Sequence, residues 1–120
     1  MGAFFLLRIN DHMQYLKKIK ATLDGVGDFQ GTDHHGCKLG VWMDTLGPQE
    51  AAEVGSDAKA VFNSILDPHE RFHSASGRAL ALKSVEPNRE RENAITEMLQ
   101  LSGALVALLL QLDSLAAGKR

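Results

Sequence analysis

Apolar residues recur at steps of three and four positions near the start of the chain. This spacing places them on one face of a helix and predicts a helix over about residues 4–24. Gly25 and Gly27 follow the last apolar position and are expected to end the helix. The apolar face consists of Phe5, Ile9, His12 or Met13, Leu16, Ile19 and Leu23. A histidine on or beside such a stripe has to be buried with a partner or act as a ligand.

The next part of the chain predicts one short helix between glycine-containing segments. Residues 25–33 form a loop, and Asp33 is a suitable N-cap for a helix over about residues 34–46. Gly47-Pro48 is expected to stop that helix. Residues 49–56 are then a connector that can include a helical turn.

A long helix is predicted next, over about residues 57–84, with Ser56 or Asp57 as its cap. Its apolar face consists of Ala58, Val61, Phe62, Ile65 and Leu66. The run Asp67-Pro68-His69-Glu70 is itself typical of a helix start, with an N-cap, a proline at the first helical position and an acid at the capping-box position. We therefore expect the helix to be kinked or restarted at Pro68.

The end of the chain predicts one more long helix. Glu86-Pro87-Asn88 is expected to form a turn, and the helix that follows runs over about residues 89–116. It is rich in leucine, and no strand pattern competes with helix anywhere. Three long helices, one short helix and short connections predict an all-α fold, an antiparallel four-helix bundle in which the short helix carries the cysteine. The whole chain, residues 1–120, is expected to form one domain.

Composition narrows the classes of function. The formal net charge of -2 argues against a nucleic-acid-binding surface. A lone cysteine excludes an intramolecular disulfide and suits a reducing cytoplasm. The apolar start has no basic segment before it, which argues against a signal peptide. The longest apolar run, residues 104–110, is shorter than the roughly 20 residues of a membrane span. We expect a soluble cytoplasmic protein without a membrane span.

The candidate chemistry lies in Cys37 and in a pair of histidines, His69 and His73. Positions i and i+4 share one face of a helix, so the two imidazoles can bind one metal ion. A thiolate with imidazoles is a zinc-type ligand set, and a closed zinc site needs a fourth ligand. His12 is the preferred fourth ligand, and the alternatives are His34 and His35. The residues alone leave ordinary explanations open, because a buried cysteine is often a small hydrophobe and histidine pairs occur by chance.

These residues together resemble the chemoreceptor zinc-binding (CZB) family. The resemblance is carried by His12, by Cys37-Lys38-Leu39-Gly40-Val41-Trp42 and by His69-Glu70-Arg71-Phe72-His73. The family pattern has a histidine in a first helix, a Cys-x-Leu-Gly-x-Trp segment and a His-x-x-x-His pair. The resemblance implies a four-helix bundle that binds one zinc ion through His12, Cys37, His69 and His73. Val41 replaces a basic residue that is frequent in the family, at a position that is not a ligand.

The resemblance also implies a function in bacterial signalling. Domains of this family occur in chemoreceptors and in diguanylate cyclases, where they report zinc, and in some members oxidants acting on the cysteine, to an attached output. This chain carries no recognisable output, so it is expected to be either a stand-alone version or a domain of a larger protein. A stand-alone version would act by binding zinc, by dimerising or by docking onto a signalling partner. No enzymatic activity is expected, because four protein ligands leave zinc without an open position.

Two other classes remain as alternatives. If His12 is not a ligand, an open coordination position would allow a zinc-dependent enzyme with Glu70 as the base. A hemerythrin-like di-iron carrier shares the helical bundle but needs five histidines and carboxylates in paired motifs. The identity and stoichiometry of the bound metal distinguish these classes.

Several neighbours of the predicted ligands have expected roles. Gly40 allows the short helix to approach another backbone closely, and Trp42 covers the site or fills the core. Asp11, Asp33 and Glu70 are candidates to accept hydrogen bonds from ligand imidazoles, with helix capping or solvent exposure as the alternative. A homodimer is expected, because leucines spread around the last helix beyond one core-facing stripe and residues 4–7 are also apolar.

Overall fold

The computed structural model describes residues 5–83 and 89–119, and over this range the chain is helical without strands. The helices are α1 (Leu6–Leu23), α2 (Lys38–Asp44), α3 (Gly47–Val54), α4 (Ser56–Ala81) and α5 (Arg89–Ala117). The predicted all-α class is therefore confirmed. The predicted turn at residues 86–88 and the predicted start of the first helix at residue 4 lie outside the described residues.

The core lies between α4 and α5, which share the largest interface, and α1 packs against both of them. The molecule is elongated, with extents of 50 × 22 × 19 Å. The short helices α2 and α3 follow one another, with α2 against α1 and α3 against α4. Fully buried side chains of the core include Phe5, Ile19, Leu39, Ile65, Phe72, Met98, Leu105, Leu109 and Leu112.

The prediction of a connector with at most a helical turn at residues 49–56 is wrong, because most of this segment belongs to the helix α3 (Gly47–Val54). Gly47-Pro48 begins this helix, whereas the sequence was expected to stop one there. Proline suits the first turn, where its missing N–H has no partner within the helix in any case. A β-carbon at Gly47 would lie 2.7 Å from Cε1 of Phe62, so the start of α3 packs directly on α4.

The short helix α2 begins at Lys38, later than the predicted position 34. The carboxylate of Asp33 accepts hydrogen bonds from the backbone N–H groups of His35 and Gly36, at 3.0 and 2.9 Å. These bonds close a turn before the helix, so Asp33 caps the turn. Cys37 is the N-cap of α2, and its sulfur accepts a hydrogen bond from the backbone N–H of Gly40 at 3.2 Å.

The helix α4 runs through Pro68 without a restart, so the predicted N-cap role of Asp67 is wrong. A proline inside a helix removes one backbone hydrogen bond and crowds the preceding turn. Here the buried face of the helix continues on both sides of Pro68, with Ile65 before it and Phe72 after it. We attribute the continuity of α4 to this packing against α5 and α1.

Among the described residues, one helix, α5, has the length and hydropathy of a membrane span. That property does not by itself separate a membrane span from a core helix. One face of α5 is buried in the core, including Met98, Leu105 and Leu109, whereas Leu99 and Leu110 are exposed. The expected absence of a membrane span stays a prediction.

Candidate metal centre

The helix α4 holds His69 and His73 one turn apart, as their spacing predicts. Their ring centroids are 4.9 Å apart, and the ring planes are nearly perpendicular. Both side chains are buried. Two buried imidazoles without a charged partner require hydrogen bonds or a metal ion to compensate for the loss of water.

The N-cap position of α2 brings Cys37 to this pair. The sulfur of Cys37 lies 3.4 Å from Nε2 of His69. The Cys37 sulfur and one nitrogen from each of His69 and His73 all lie within 4.8 Å of one another. A sulfur and a nitrogen bound to one tetrahedral zinc are about 3.5 Å apart, given Zn–S of about 2.3 Å and Zn–N of about 2.0–2.1 Å. The spacing of these three side chains therefore fits a zinc ion.

A backbone carbonyl orients His73 for this role. Nδ1 of His73 lies 2.9 Å from the carbonyl oxygen of Thr32. A carbonyl only accepts, so in the neutral imidazole the proton is on Nδ1 and the lone pair is on Nε2. Metal-bound histidines commonly donate their second N–H to such a partner, which fixes the ring and its tautomer. The loop before α2 thus supplies an orienting group as well as the cysteine.

Tyr15 on α1 holds this loop in place. Its hydroxyl accepts a hydrogen bond from the backbone N–H of Thr32 at 2.9 Å and donates to the Thr32 carbonyl at 3.2 Å. The ring of Tyr15 also packs against His73, with centroids 4.6 Å apart. The Thr32 carbonyl therefore receives hydrogen bonds from both Tyr15 and His73, and α1, the loop and α4 meet at one backbone group.

His12 is buried on α1, close enough to His69 and His73 for their imidazoles to affect one another's pKa values. Its Nε2 lies 2.8 Å from the hydroxyl oxygen of Ser102 on α5, and its ring packs edge-on against Phe72 at 4.7 Å. His12 is not part of the group of three side chains that lie within 4.8 Å of one another. The structure thus brings three of the four predicted ligands together, whereas His12 lies outside this group and has Ser102 as its hydrogen-bond partner.

Burial sets the protonation of these groups in the metal-free chain. Burial, together with a smaller effect from the proximity of His73, lowers the pKa of His12 to about 4 and the pKa of His69 to about 3. Burial also lowers the pKa of His73, and it raises the pKa of the Cys37 thiol. At neutral pH the imidazoles are therefore uncharged and ready to bind a metal, whereas the thiol has to lose its proton.

The alternative ligands His34 and His35 lie on the outer side of the centre. His34 is half-buried, and its Nε2 is 3.7 Å from a carboxylate oxygen of Glu70. His35 is exposed, and its Nδ1 lies 2.7 Å from a carboxylate oxygen of Asp44. The ring of His34 packs edge-on against His69, with centroids 6.0 Å apart.

The carboxylates that the sequence offered as partners of the ligand imidazoles have other contacts in the described part of the chain. Asp11 pairs with Arg8 at 3.1 Å. Asp33 caps the turn before α2, and Glu70 faces His34. The partners of the predicted ligands are instead the Thr32 carbonyl and the Ser102 hydroxyl.

These two partners were not predicted from the sequence, for different reasons. A backbone carbonyl has no signature in the sequence, so Thr32 left no signal. Ser102 did leave one, because it is a polar residue on the apolar stripe of α5 between Met98 and Leu105, and it is buried there. A lone serine in such a stripe indicates a buried hydrogen bond to another helix.

Gly40 and Trp42 have the packing roles that the sequence suggested. A β-carbon at Gly40 would collide with the carbonyl oxygen of His34, so α2 lies directly on the turn that precedes it. Trp42 is buried between Phe5 and Phe62, with centroid distances of 5.7 and 5.5 Å. Its indole N–H donates to Glu50 at 3.1 Å, and these contacts make it a core residue.

Comparison with known protein families gives a match for this chain. The family model described as the chemoreceptor zinc-binding domain matches residues 12–80, which is more than half of the 120-residue chain. The matched range begins at His12 and includes Cys37, His69 and His73. No curated protein and no solved structure matches the chain.

Proposed function

The chain belongs to the chemoreceptor zinc-binding domain family, and from this we propose that it is a regulatory module that binds one zinc ion through His12, Cys37, His69 and His73. The observation that carries the proposal is the convergence of Cys37, His69 and His73, which come from two helices and meet in a buried place. A thiolate and neutral imidazoles are the ligands that zinc prefers.

His12 is the fourth ligand in this proposal. It is buried beside the α4 histidines, and its proximity to His69 lowers the pKa of that imidazole. With the Nε2 proton donated to Ser102, the lone pair of His12 is on Nδ1, the nitrogen left for a metal. Ser102 then fixes the ring orientation and the tautomer of His12, as the Thr32 carbonyl does for His73.

Four protein ligands make this a closed site without hydrolytic activity. The family is a regulatory one, and the alternative of a zinc enzyme needs a base beside an open position. Glu70, the residue suggested for that role, is exposed and faces His34 on the outer side of the centre. That position favours the regulatory function over the enzymatic one.

The sulfur of Cys37 connects the metal to the fold, because it also caps α2 by accepting the N–H of Gly40. In the proposed oxidant response, the thiolate attacks one oxygen of hydrogen peroxide, the O–O bond breaks and hydroxide leaves, and the sulfur is oxidised to a sulfenic acid. The sulfur loses its negative charge, which weakens its bond to zinc and its bond to the cap. A cleft of about 190 Å³, lined by Asp11, Tyr15, Thr32, Gly36 and Cys37 among others, gives a small oxidant access.

The proposed setting is the cytoplasm, where a free thiolate persists. The module is proposed to act as a homodimer and to pass its state to a signalling partner or output domain. Leu6 and Leu7 on α1 and Leu110 on α5 are exposed in the single chain. Exposed apolar side chains of this kind support an interface with a second copy, which would cover them. A monomeric mass by light scattering at tens of micromolar would contradict the homodimer.

Metal analysis of the purified protein tests the main proposal. We expect one zinc per chain and no iron absorbance. Replacing any of His12, Cys37, His69 or His73 by alanine is expected to weaken zinc binding strongly, whereas His35→Ala leaves it intact. Full zinc affinity in His12→Ala would show that the fourth ligand is wrong, and absence of stoichiometric zinc in the unsubstituted chain would overturn the function.

The oxidant response needs its own experiment. Zinc-loaded protein is treated with one equivalent of hydrogen peroxide, and sulfenic acid and released zinc are measured together. We expect the two to appear in parallel. Formation of sulfenic acid with zinc fully retained would reject the oxidant response. The site would then be a structural zinc site or a site that senses zinc itself.

A further inference from the structure

Four imidazoles form a file between the surface and the metal centre, and the outermost of them, His35, is held by Asp44. The successive ring-centroid distances are 4.1 Å from His35 to His34, 6.0 Å from His34 to His69 and 4.9 Å from His69 to His73. Exposure of the side chain falls along the file, from 60% at His35 and 29% at His34 to the buried pair on α4. Only the two inner members belong to the group of side chains that fits a metal.

The second member of the file has a carboxylate beside it. Nε2 of His34 lies 3.7 Å from a carboxylate oxygen of Glu70, and both side chains reach solvent. Imidazole nitrogen and carboxylate oxygen are both zinc ligands, and two such atoms on one tetrahedral zinc are about 3.3 Å apart. A small movement of the exposed Glu70 side chain brings the two atoms to this distance.

The position of His34 next to the centre is fixed by its backbone. Its carbonyl oxygen accepts a hydrogen bond from the Cys37 thiol at 3.9 Å, and the same carbonyl packs so closely against Gly40 that a β-carbon there would collide with it. Its ring stands at 90° to the ring of His69. An ion bound at His34 is therefore directly beside His69, the first of the buried ligands.

We propose that His34 and Glu70 form a transient surface site for zinc, the loading pair, which takes the hydrated ion from solvent and passes it to His69. The proposal rests on the function proposed above, because delivery requires a buried zinc centre. A hydrated ion that enters a buried site must exchange its waters for protein ligands. The loading pair replaces some of these waters at the surface, and so lowers the barrier to the exchange.

This role predicts a kinetic effect without an equilibrium effect. A residue that lowers the barrier does so in both directions, so its loss slows zinc uptake and zinc release by the same factor. A ligand of the final site would instead raise the equilibrium dissociation constant. We expect His34→Ala and Glu70→Gln each to slow uptake and release about tenfold, which corresponds to about 1.4 kcal/mol in the barrier, with the dissociation constant unchanged.

The chain offers matched controls for both substitutions. His35→Ala removes an exposed imidazole that lies on the far side of His34 from the centre and is held by Asp44. Asp67→Asn removes one negative charge from the same helix as Glu70, at an exposed position paired with Arg71. Both controls are expected to keep the uptake and release rates of the unsubstituted protein.

The experiment uses Co²⁺ for the rates and Zn²⁺ for the affinity. Metal-free protein is mixed rapidly with Co²⁺, and the thiolate-to-cobalt absorption reports the arrival of the ion at Cys37. Release is followed by adding a chelator, and the zinc dissociation constant is measured by competition. Slower uptake and release in His34→Ala and Glu70→Gln, with both controls unchanged, supports the loading pair.

The other outcomes overturn the inference. Unchanged uptake and release rates in His34→Ala would show that His34 does not take part in loading. A large increase in the zinc dissociation constant of this variant would make His34 a ligand of the final site. Equal slowing by Asp67→Asn shows general attraction by negative charge, and equal slowing by His35→Ala shows a general effect of surface imidazoles. Failure of the unsubstituted protein to form a thiolate-bound cobalt site would instead refute the proposed function.

Discussion

Replacing Tyr15 by phenylalanine tests whether the loop before α2 is part of the metal centre. The substitution keeps the ring that packs against His73 and removes only the hydroxyl. That hydroxyl makes two hydrogen bonds to the backbone of Thr32, at 2.9 and 3.2 Å, and Thr32 in turn accepts from His73 at 2.9 Å. The loss therefore releases the carbonyl that orients a proposed ligand.

The structure allows the size of the effect to be estimated. Each of the two hydrogen bonds contributes about 0.5–1.5 kcal/mol, so the free energy of unfolding of Tyr15→Phe is expected to fall by about 1–3 kcal/mol. Loss of partners that orient metal ligands commonly lowers metal affinity about 10–100-fold. We expect a loss of zinc affinity in this range for Tyr15→Phe.

Thr22→Val is the matched control. The hydroxyl of Thr22 also makes two hydrogen bonds, accepting from the backbone N–H of Phe29 at 2.9 Å and donating to the Lys18 carbonyl at 3.1 Å. It anchors the same loop at a place that does not contact a proposed ligand. Thr22→Val is therefore expected to lose stability by a similar amount and to keep its zinc affinity.

Three measurements check this reasoning. Urea unfolding gives the stability of each metal-free variant, competition with a chelator gives the zinc dissociation constant, and ¹⁵N NMR of the metal-free protein gives the tautomer of His73. In Tyr15→Phe the Nδ1–H tautomer is expected to lose its dominance. Unchanged zinc affinity in Tyr15→Phe, or an equal loss of affinity in Thr22→Val, would refute the orienting role of the loop.

Three further predictions concern protons and packing. Because burial raises the pKa of the Cys37 thiol and keeps the histidines neutral, zinc binding at pH 7 should release about one proton. Calorimetry in buffers of different ionisation enthalpy measures this release. The absence of proton release would mean that the thiol is not a ligand. Burial lowers the pKa of His12 to about 4 and of His69 to about 3 from 6.5, so the metal-free chain is most stable above about pH 6.5, where the unfolded histidines are also neutral. As the pH falls to 5, the unfolded chain takes up protons that the folded chain does not, and the free energy of unfolding should drop by about 2 kcal/mol for each of these two histidines; a flat profile in urea titrations would contradict this. Gly40→Ala should cost about 1–3 kcal/mol of stability and weaken zinc binding, because its β-carbon collides with the preceding turn, whereas Gly77→Ala, with nothing within 4 Å of the new β-carbon, should be neutral or stabilising.

The sequence by itself determined the helical class and the chemistry of the site. The spacing of apolar residues in α1, α4 and α5 follows the helical repeat closely, so these long helices were predicted within a few residues of their bounds. The His69–His73 pair needed no tertiary information, because the helical repeat alone places positions i and i+4 on one face. The family resemblance was likewise carried by residues that are adjacent or regularly spaced in the chain.

The short elements were not determined in this way. Gly47-Pro48 reads equally well as the end of one helix and the start of the next, and the packing of α3 against Phe62 decided for the start. Pro68 resembles a helix start, but the buried face on both sides of it keeps α4 continuous. In both places the local signals were ambiguous, and contacts with distant residues settled them.

Only the tertiary structure decided what surrounds the proposed ligands. The approach of Cys37 to His69, the hydrogen bond from His73 to the Thr32 carbonyl and that between His12 and Ser102 join residues that are 32 to 90 positions apart. Such contacts depend on how the helices and the loop pack, and one of the partners is a backbone atom that every residue has. The sequence therefore determined which side chains can bind zinc, whereas packing decided which groups orient them.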